Sequence, residues 1–343
     1  SRYFSNLFFN FDLKNIDFKI FAPFYKNHYI KNLNHSNLNG KHLNYVIPYT
    51  SFIIKKFTEV YGFHLMRKWK PDIIHYTYYY NKLKKTDKPT IITVYDLIHE
   101  KNSISNNKPF FPKKNMIELA DHIICISEKT RKDLIEIYGV QEKKTSVIYL
   151  GSEHAEIQKT TKNMNLDKPY ILFVGSREKY KNFNFFIKSY AESNKLLNNF
   201  DIVLFGGGNL NKEEKKFITK NKINENSIKY IFGDDELLMQ LYQNAGVFVF
   251  PSLDEGFGIP VVEALKNKCP VICSDIEIFR EIGGDYVKYF NIHHTESLTK
   301  AIEDIMFSIE EKNLFKEKGY TNSKKFSWKK CADETLLVYK NFL

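Results

Sequence analysis

Cysteines are scarce in this sequence, and their placement gives no sign of a disulfide framework or a metal site. The 343 residues include four cysteines, with no C-x-x-C pair and no histidine at metal-ligand spacing. A disulfide-stapled miniprotein is therefore excluded. Cys125 and Cys269 lie within apolar runs, so we expect buried thiols in a reducing compartment.

Long apolar runs are also absent. No stretch approaches the about 18 to 20 consecutive apolar residues that span a bilayer, and the opening SRYFSNLFFNF lacks the arrangement of a signal peptide. We therefore expect a soluble, cytoplasmic protein. A hydrophobic fraction of 43% and a charged fraction of 27% exclude wholesale disorder. At about 150 residues per domain, the length predicts two domains.

Acidic residues do not balance the basic ones, and the imbalance lies in the first half of the chain. Lys and Arg number 51 and Asp and Glu number 40, so the formal net charge is +11. Residues 1–150 hold 24 basic and 13 acidic side chains, whereas residues 151–343 hold 27 of each. This indicates an anionic partner for the first half, such as a membrane surface, a phosphorylated substrate or nucleic acid. General solubility is the alternative explanation.

Short apolar runs alternate with longer helical patterns, which is typical of βα units with parallel sheets. The predicted strands of the first half are 18–21, 73–76, 90–95, 122–126 and 146–149. Those of the second half are 170–174, 201–205, 228–232, 247–250 and 271–273. The pattern predicts two similar α/β domains, residues 1–150 and 151–326, with a polar linker at the start of the second. A final helix is predicted over 327–343, packed by one face.

Two segments of the first half have distinctive compositions. Residues 31–44 are rich in Asn and poor in apolar residues, which predicts a loop. Residues 49–70 mix aromatic side chains with five basic residues and one acid. An amphipathic helix that contacts anionic lipid and an ordinary domain helix are both compatible with this second segment.

The most informative stretch is FVFPSLDEGFGIPVVEAL, residues 248–265. It runs from a strand through a glycine-containing loop into a helix, whose first turn accommodates Pro260. Glu255 is predicted in the loop and Glu263 in the first helical turn. Gly256 and Gly258 allow the backbone to approach a ligand, and the amides of a helix start favour phosphate or another polar oxygen. The segment therefore predicts a binding surface.

The pair of Glu255 and Glu263, with the seven residues GFGIPVV between them, resembles the E-x7-E signature of family 4 retaining glycosyltransferases of the GT-B fold. TVYDLIHEK, ADHIICISEKTRKDL, VIYLG, FVGSREKYKNF, LFGGG, DDELLMQLYQNA and FSWKKCA resemble further family blocks in the expected order. The resemblance covers most of the chain from about residue 90 onward. It implies an α/β fold with two Rossmann-like parallel-sheet domains that face each other across a cleft. The terminal helix would then cross back to the first domain.

The resemblance also implies roles for individual residues. Glu263 would hold the ribose hydroxyls of a nucleotide sugar, and Glu255 would face the transferred sugar near its reacting end. The glycine-rich loop would contact the sugar and the diphosphate through its backbone amides. The implied substrate-binding set is completed by Gly256, Phe257, Gly258, Ile259, Tyr95 and Gly175.

Lys181 resembles the diphosphate-binding lysine of the family, a cation that stabilises charge on the departing nucleoside diphosphate. Arg177 would be its catalytic partner, although many members place this arginine one position earlier. The family usually has a histidine where this chain has Tyr95. Asp96 and His99 are therefore candidates to act at the reaction centre.

No cofactor or metal ion is expected. The resemblance implies that cations and helix-start amides, rather than a metal, stabilise the leaving diphosphate. Asp234, Asp235 and Glu236 could suggest a metal site, but the helical pattern that follows them favours a helix cap. The residues 206–208 lack the G-x-G-x-x-G spacing of a dinucleotide fingerprint and predict a tight turn.

Taken together, the resemblance implies a retaining hexosyltransferase of cell-surface polysaccharide synthesis. It would move mannose, glucose, galactose or an N-acetyl derivative from a UDP- or GDP-sugar to a glycan or lipid-linked acceptor. The basic first half could bring it to an anionic membrane surface at the inner face of the cell membrane. A phosphorylase or nucleotide-sugar epimerase of the same fold is the alternative enzyme. A basic nucleic-acid-binding protein is a third possibility, although the resemblance gives nucleic acid no role.

The beginning of the sequence also differs from the family pattern. Relatives usually open with a strand and a glycine-rich turn before a helix that resembles SRYFSNLF, and neither precedes that helix here. We therefore expect Ser1 to mark a trimmed start. If the glycine-rich turn is absent from the protein itself, part of the donor or acceptor pocket is absent with it.

Overall fold

The computed structural model describes residues 2–12, 14, 16–25, 28–31, 35–43, 51–77, 79, 85–106, 113–152, 166 and 168–343. These residues form two successive α/β units. The first unit contains the helices α1 (Arg2–Asp12), α2 (His28–Lys31), α3 (Ser51–Trp69), α4 (Ile98–Ser105), α5 (Lys114–Leu119) and α6 (Glu128–Tyr138). Its strands are β1 (Ile20–Tyr25), β2 (Leu38–His42), β3 (Ile74–Tyr76), β4 (Thr90–Val94), β5 (His122–Cys125) and β6 (Thr145–Val147).

The second unit is larger and ends in the terminal helix. Its helices are α7 (Phe183–Ala191), α8 (Asn194–Asn199), α9 (Lys212–Lys220), α10 (Asp235–Asn244), α11 (Ile259–Lys266), α12 (Glu277–Gly283), α13 (Thr295–Met306) and α14 (Ile309–Ser323), followed by α15 (Trp328–Lys340). Its strands are β7 (Tyr170–Val174), β8 (Asp201–Phe205), β9 (Ile228–Ile231), β10 (Val247–Phe250), β11 (Val271–Ser274) and β12 (Lys288–Phe290).

All the paired strands run parallel. The first unit has a four-stranded sheet of order β3-β4-β5-β6 and a separate pair, β1-β2. The second has a six-stranded sheet of order β12-β11-β10-β7-β8-β9. Counted within this unit, the order is 6-5-4-1-2-3, which is the Rossmann order seen from its other edge. The strand order therefore reverses between β7 and β10.

The central strands are buried because helices cover both faces of each sheet. Every residue of β4, β7 and β10 is buried, and their sequences TIITV, YILFV and VFVF consist largely of β-branched and aromatic residues. All four cysteines are buried thiols, as the sequence predicts. None of the helices in the described part of the chain is both long and apolar enough to cross a bilayer.

The prediction of a loop over 31–44 is wrong for part of that segment. Residues 38–42, LNGKH, form β2 beside β1, although only Leu38 of the strand is buried. Gly40 passes so close to β1 that an added Cβ would lie 1.8 Å from the Ala22 carbonyl oxygen. This pairing is a tertiary contact, and the polar sequence of β2 carries no alternation that would predict it.

The terminal helix α15 packs against α1, at the start of the chain. Buried side chains of α1, among them Phe4 and Phe11, join one apolar cluster with Trp328 and Val338 of α15. The start of α15 also lies against Gly151, where an added Cβ would be 2.2 Å from the Trp328 nitrogen. The last helix is thus attached to the first unit.

A buried polar contact reinforces this attachment. His75 of β3 lies between Tyr339 of α15, with Nδ1 2.5 Å from the tyrosine hydroxyl, and Thr93 of β4, with Nε2 2.9 Å from its hydroxyl. Removal of the ring from water lowers the pKa of His75 to about 3. The ring is therefore neutral and can donate to one hydroxyl while it accepts from the other.

This contact predicts that stability decreases in mild acid. The pKa of His75 is about 3 in the folded chain against an ordinary 6.5, so the unfolded chain binds the additional proton between these values. The stabilisation is complete above pH 6.5 and is lost as the pH falls toward 3. From pH 7 to pH 5 the loss attributable to His75 should be on the order of 2 kcal/mol.

Urea unfolding at pH 7 and pH 5 measures this difference. His75→Gln retains hydrogen-bonding groups but does not titrate, so its stability should depend less steeply on pH than that of the wild type. His293→Gln, at an exposed position of the second unit, serves as the control and should keep the wild-type slope. Equal slopes for His75→Gln and the wild type would contradict the assignment.

Candidate active site

The candidate site lies where the strand order of the second sheet reverses. In open parallel sheets, ligands bind in the crevice beyond the carboxyl ends of the strands at such a point. Lys181 follows β7, at the end of a short 3-10 turn (Lys179–Lys181), and Glu255 follows β10. The fold thereby brings together two predicted site residues that are 74 positions apart in sequence.

Lys181 and Glu255 form an ion pair. Lys181 Nζ lies 2.5 Å from Glu255 Oε1, and both side chains are almost nine-tenths buried. The ammonium group also lies 4.8 Å from the centre of the Phe250 ring and 5.1 Å from that of Tyr180. Aromatic faces attract a cation, so these rings help to hold the ammonium group near the carboxylate.

The pKa of Tyr180 reflects the negative charge around the Lys181–Glu255 pair. Burial, together with the carboxylates of Glu255, Glu178 and Asp96, raises the pKa of Tyr180 to about 12. Asp96, which follows β4 of the first unit, is thus close enough to act on a residue of the second. A Cβ added to Gly256 would lie 3.0 Å from Asp96 Cβ, so Asp96 borders the loop that carries Glu255, and its role at the reaction centre stays a prediction.

Glu263 is the fifth residue of α11, one turn further along the helix than the sequence suggests, and it is buried. Its Oε1 accepts a hydrogen bond from the Arg2 guanidinium of α1, and its Oε2 accepts one of 3.4 Å from the Tyr242 hydroxyl. Burial raises the pKa of Glu263, while the positive charge of Arg2 acts in the opposite direction. Arg2 was not predicted, because nothing in the sequence links positions 2 and 263.

In the loop between Glu255 and Glu263, the backbone adopts a conformation at one position that strongly favours glycine. Gly258 has φ +92° at the N-cap of α11, and an added Cβ would lie 3.0 Å from the Phe279 ring. Ile259 and a proline then begin the helix, as predicted. Phe257 turns its ring away into the core, where it packs against Tyr149 and Phe326. Only its backbone is left for the predicted ligand contact.

Gly256 lies against the first unit. An added Cβ would be 1.8 Å from the Tyr95 carbonyl oxygen and 3.0 Å from Asp96 Cβ. The backbone of Tyr95, at the position where the family usually has a histidine, therefore borders the loop that carries Glu255. His99 lies in the first turn of α4, and its side chain is exposed. Its role at the reaction centre stays a prediction.

The guanidinium of Arg177 contacts the turn after β8 and Glu214, and its catalytic role stays a prediction. The sequence suggests a catalytic partner for Lys181, but the guanidinium is bound to the tight turn after β8. It donates to the carbonyl oxygens of residues 206–209 at 2.8 to 3.2 Å and to Glu214 Oε1 at 2.8 Å. Nε and both terminal nitrogens of Arg177 thus donate hydrogen bonds to these oxygens, and this geometry indicates that Arg177 stabilises the turn.

Gly175, a further predicted substrate-binding residue, belongs to the same turn contact. It follows β7 with φ +122°, and its N–H donates to the Phe205 carbonyl oxygen at 2.9 Å. An added Cβ on Gly207 would lie 2.9 Å from the Gly175 carbonyl oxygen. The turns after β7 and β8 are therefore packed backbone to backbone, next to Lys181.

The acidic run at 234–236 caps a helix. Asp234 Oδ1 accepts a hydrogen bond of 2.9 Å from the Leu237 N–H at the start of α10. Over the described residues, no group of three or more His, Cys, Asp or Glu side chains is arranged to hold a metal ion.

The two α/β units with their parallel sheets have the architecture of the GT-B class, and the comparisons with known proteins agree. The family model described as "Glycosyltransferase Family 4" matches residues 11–156, and the one described as "Glycosyl transferases group 1" matches residues 154–322. The structure of WaaG, a glycosyltransferase involved in lipopolysaccharide biosynthesis, aligns with a TM-score of 0.74 over 97% of this chain and 94% of that one, at 12% identity. The chain belongs to the family 4 glycosyltransferases with the GT-B fold.

Two curated relatives come from bacterial O-antigen synthesis. The "O-antigen chain mannosyltransferase B" of Escherichia coli is 24% identical over 234 residues, which are 65% of this chain and 61% of the relative. The "O-antigen chain mannosyltransferase RfbU" of Salmonella typhimurium is 30% identical over 200 residues, which are 57% of this chain and 54% of the relative. The chain thus matches between half and two thirds of the length of these relatives.

The contact at Gly256 generates a prediction. Gly256→Ala would place a methyl group against the Tyr95 carbonyl, and such overpacking costs about 1–3 kcal/mol. The loop should move away from the first unit, so the melting temperature should fall and turnover of a nucleotide-sugar donor should be lost. Thermal unfolding and a transfer assay measure the two effects.

Gly62→Ala is the matched control, because an added Cβ in that helix would have only ordinary contacts at 3.7 Å or more. It should be neutral or slightly stabilising. A Gly256→Ala protein as stable and active as Gly62→Ala would show that the close approach is not required.

Proposed function

We propose that this chain is a retaining hexosyltransferase that moves a sugar from a UDP- or GDP-sugar to a glycan or lipid-linked acceptor in cell-surface polysaccharide synthesis. One observation carries the proposal: Lys181 and Glu255 meet at the switch point of a Rossmann sheet, with Glu263 in the helix that follows. Family membership and the names of the O-antigen relatives support it. Because both of those relatives are named mannosyltransferases, mannose is the first sugar to test.

Glu263 would bind the ribose of the donor. A buried carboxylate is costly unless it is paired, and Arg2 supplies the pairing charge. A carboxylate has about four lone-pair sites, so the contacts with Arg2 and Tyr242 leave acceptor capacity for two ribose hydroxyls. Arg2 therefore favours the charged form of Glu263 without occupying all of its acceptor sites.

Lys181 would act on the diphosphate. Negative charge develops on the leaving nucleoside diphosphate as the bond to the sugar breaks, and a cation already in position stabilises it without reorganisation. The ion pair with Glu255 and the rings of Phe250 and Tyr180 hold the ammonium group in place. Backbone amides of residues 256–258, at the start of α11, would add further donors. Arg177 would act as a positioning residue, because it stabilises the turn after β8.

Glu255 and Asp96 would face the reacting end of the sugar. They reach the site from different units, Glu255 after β10 and Asp96 after β4, so the sugar would lie between the two sheets. We propose that departure of the diphosphate and attack by the acceptor occur on the same face of the sugar, with retention of configuration and without a metal ion. Contact between the units would exclude water, which otherwise hydrolyses the donor.

The first unit would bind the acceptor at the cytoplasmic face of a membrane. Its excess of basic residues suits phosphorylated or membrane-bound acceptors. On α3, Phe57, Val60 and Tyr61 lie on one helix face and are 45 to 66% exposed. Lys56 and Lys68 of the same helix are exposed as well. Exposed aromatic and apolar residues among basic ones are typical of a helix that lies on an anionic lipid surface.

The donor site is tested by three substitutions. Glu263→Ala should weaken nucleotide binding, which thermal shift with UDP, GDP and their sugars detects. Lys181→Ala should lower kcat by about 10² to 10³ with little effect on nucleotide binding, because it acts on charge that develops in the reaction. Glu255→Ala should abolish transfer and leave the fold intact. Release of the nucleoside diphosphate with formation of the glycoside is the activity readout.

The matched control is Lys268→Ala, which breaks an exposed Lys–Glu pair with Glu317 remote from the switch point. It should behave like the wild type in both assays. Unchanged kinetics in all three site variants would refute the site. Binding of UDP or GDP that does not respond to Glu263→Ala would place the nucleotide elsewhere.

The membrane contact is tested with vesicles. Phe57→Ser combined with Val60→Ser should weaken co-sedimentation with phosphatidylglycerol-containing vesicles about tenfold or more, since each side chain contributes about 1.5 kcal/mol or more when buried. Pure phosphatidylcholine vesicles should bind less than anionic ones. Leu337→Ser, at a comparably exposed apolar residue of α15, is the control. Equal binding by all proteins would contradict the assignment of α3.

A further inference from the structure

The loop that carries Glu255 is held by a helix of the other unit. The carbonyl oxygen of Gly256 accepts a hydrogen bond of 2.7 Å from the Ser127 hydroxyl and one of 3.2 Å from the Thr130 hydroxyl. These three residues are buried. We propose that Ser127 and Thr130 are positioning residues for sugar transfer, which fix the catalytic loop when the two units are in contact. The inference rests on the proposed function of the Glu255 site.

Ser127 serves both its own helix and the loop. As the N-cap of α6, its Oγ accepts a hydrogen bond of 3.0 Å from the Thr130 N–H. A hydroxyl has one proton to donate and can accept as well, so Ser127 can cap α6 while its proton goes either to the Gly256 carbonyl oxygen or, at 2.9 Å, to the Thr130 hydroxyl, which in turn donates to Gly256. Thr130 lies one turn into the same helix and reaches the same carbonyl oxygen. Two hydroxyl groups at the start of α6 thus contact the same carbonyl oxygen, that of Gly256 in the second unit.

A second anchor lies on the other side of Glu255. Lys129 Nζ is 2.5 Å from Asp254 Oδ1 and 2.8 Å from Asp133 Oδ2, and only 6% of the lysine side chain is exposed. Burial acts against the charged form of Lys129, but the hydrogen bonds to Asp133 and Asp254 outweigh it and raise its pKa. The residues directly before and after Glu255 are therefore both held by α6.

The held carbonyl also sets the direction of an amide. The peptide group is planar, and the described chain contains no cis peptide bond. The N–H of Phe257 therefore points away from the Gly256 carbonyl, and hence away from α6. This amide is one of the donors predicted to contact the sugar and the diphosphate. Ser127 and Thr130 would orient it without touching the substrate themselves.

Tyr95 prevents the loop from moving past this position. Its carbonyl oxygen lies where a Cβ of Gly256 would be. The loop is thus bounded by a steric contact with the β4–α4 connection and by hydrogen bonds to α6. Both come from the first unit, so the geometry around Glu255 depends on contact between the units.

The test is the double variant Ser127→Ala/Thr130→Val, with Ser127→Thr and Thr130→Ser as conservative variants that keep the hydroxyls. Misplacement of a catalytic group by about 1 Å can cost about 10²-fold in rate. We therefore expect kcat of the double variant to fall by about 10- to 100-fold. Affinity for the free nucleoside diphosphate should change by less than about twofold, because Glu263, which would bind the ribose, is untouched. The single variant Thr130→Ser, which keeps the hydroxyl, should retain most of the wild-type kcat.

Amide hydrogen exchange gives a readout independent of activity. Exchange at residues 254–258 should be faster in the double variant, with the sheet of the second unit unchanged. Ser308→Ala is the matched control: Ser308 caps α14 by accepting from the Glu311 N–H, within the second unit. It removes a cap but should change neither kcat nor exchange in the loop.

Each outcome decides the proposal. Unchanged loop exchange, unchanged kcat, or an equal loss of kcat in Ser308→Ala would overturn it. If the double variant does not fold, Thr130→Val alone removes one of the two hydrogen bonds and is measured in the same way. If the wild type transfers no sugar from any donor, the proposed function fails separately. In that case faster loop exchange in the double variant would still support the contact, and unchanged exchange would refute it.

Discussion

The close approach of the Gly256 backbone to the first unit is the constraint on which the candidate site depends. The backbone of Gly256, in the second unit, lies against the Tyr95 carbonyl and leaves no space for a side chain. This contact is possible only at glycine, and it places Glu255 at the boundary between the two units. Glu255, which is central to the proposed chemistry, therefore follows a strand of the second unit, but contacts from both units position it.

The charges of the site are balanced within the protein itself. Each of the two motif glutamates has a cationic partner, Lys181 for Glu255 and Arg2 for Glu263. Leaving any of these groups buried without a partner would cost several kcal/mol. In the proposed site, a donor diphosphate near Lys181 would therefore be a second anionic partner of the lysine beside Glu255.

The extent to which the sequence predicts the structure differs between local and long-range features. The strands of the second unit and the strand–loop–helix course around Glu255 are local patterns, and their prediction is confirmed within a residue or two. The strand β12 was not predicted, because its sequence KYF begins with a lysine and has only two apolar residues in a row. The pairing of β2 with β1 and the contact of Arg2 with Glu263 join distant positions, and no periodicity reports such contacts.

Arg177 illustrates a different limit. Its residue type and its place after β7 fit a phosphate ligand, and the family motif suggests the same role. What the sequence does not contain is the three-dimensional path of the glycine turn after β8, which surrounds the guanidinium with carbonyl oxygens. In the structure, the oxygens around the guanidinium come from the backbone of this turn and from the Glu214 side chain.

The return of α15 to the first unit determines how the two units are connected. The chain leaves the first unit at Gly151 and comes back at Trp328, and these two points touch. The two covalent connections between the units therefore lie side by side. Any movement of one unit relative to the other would have to pivot close to these two residues, because the chain fixes the units to each other there twice.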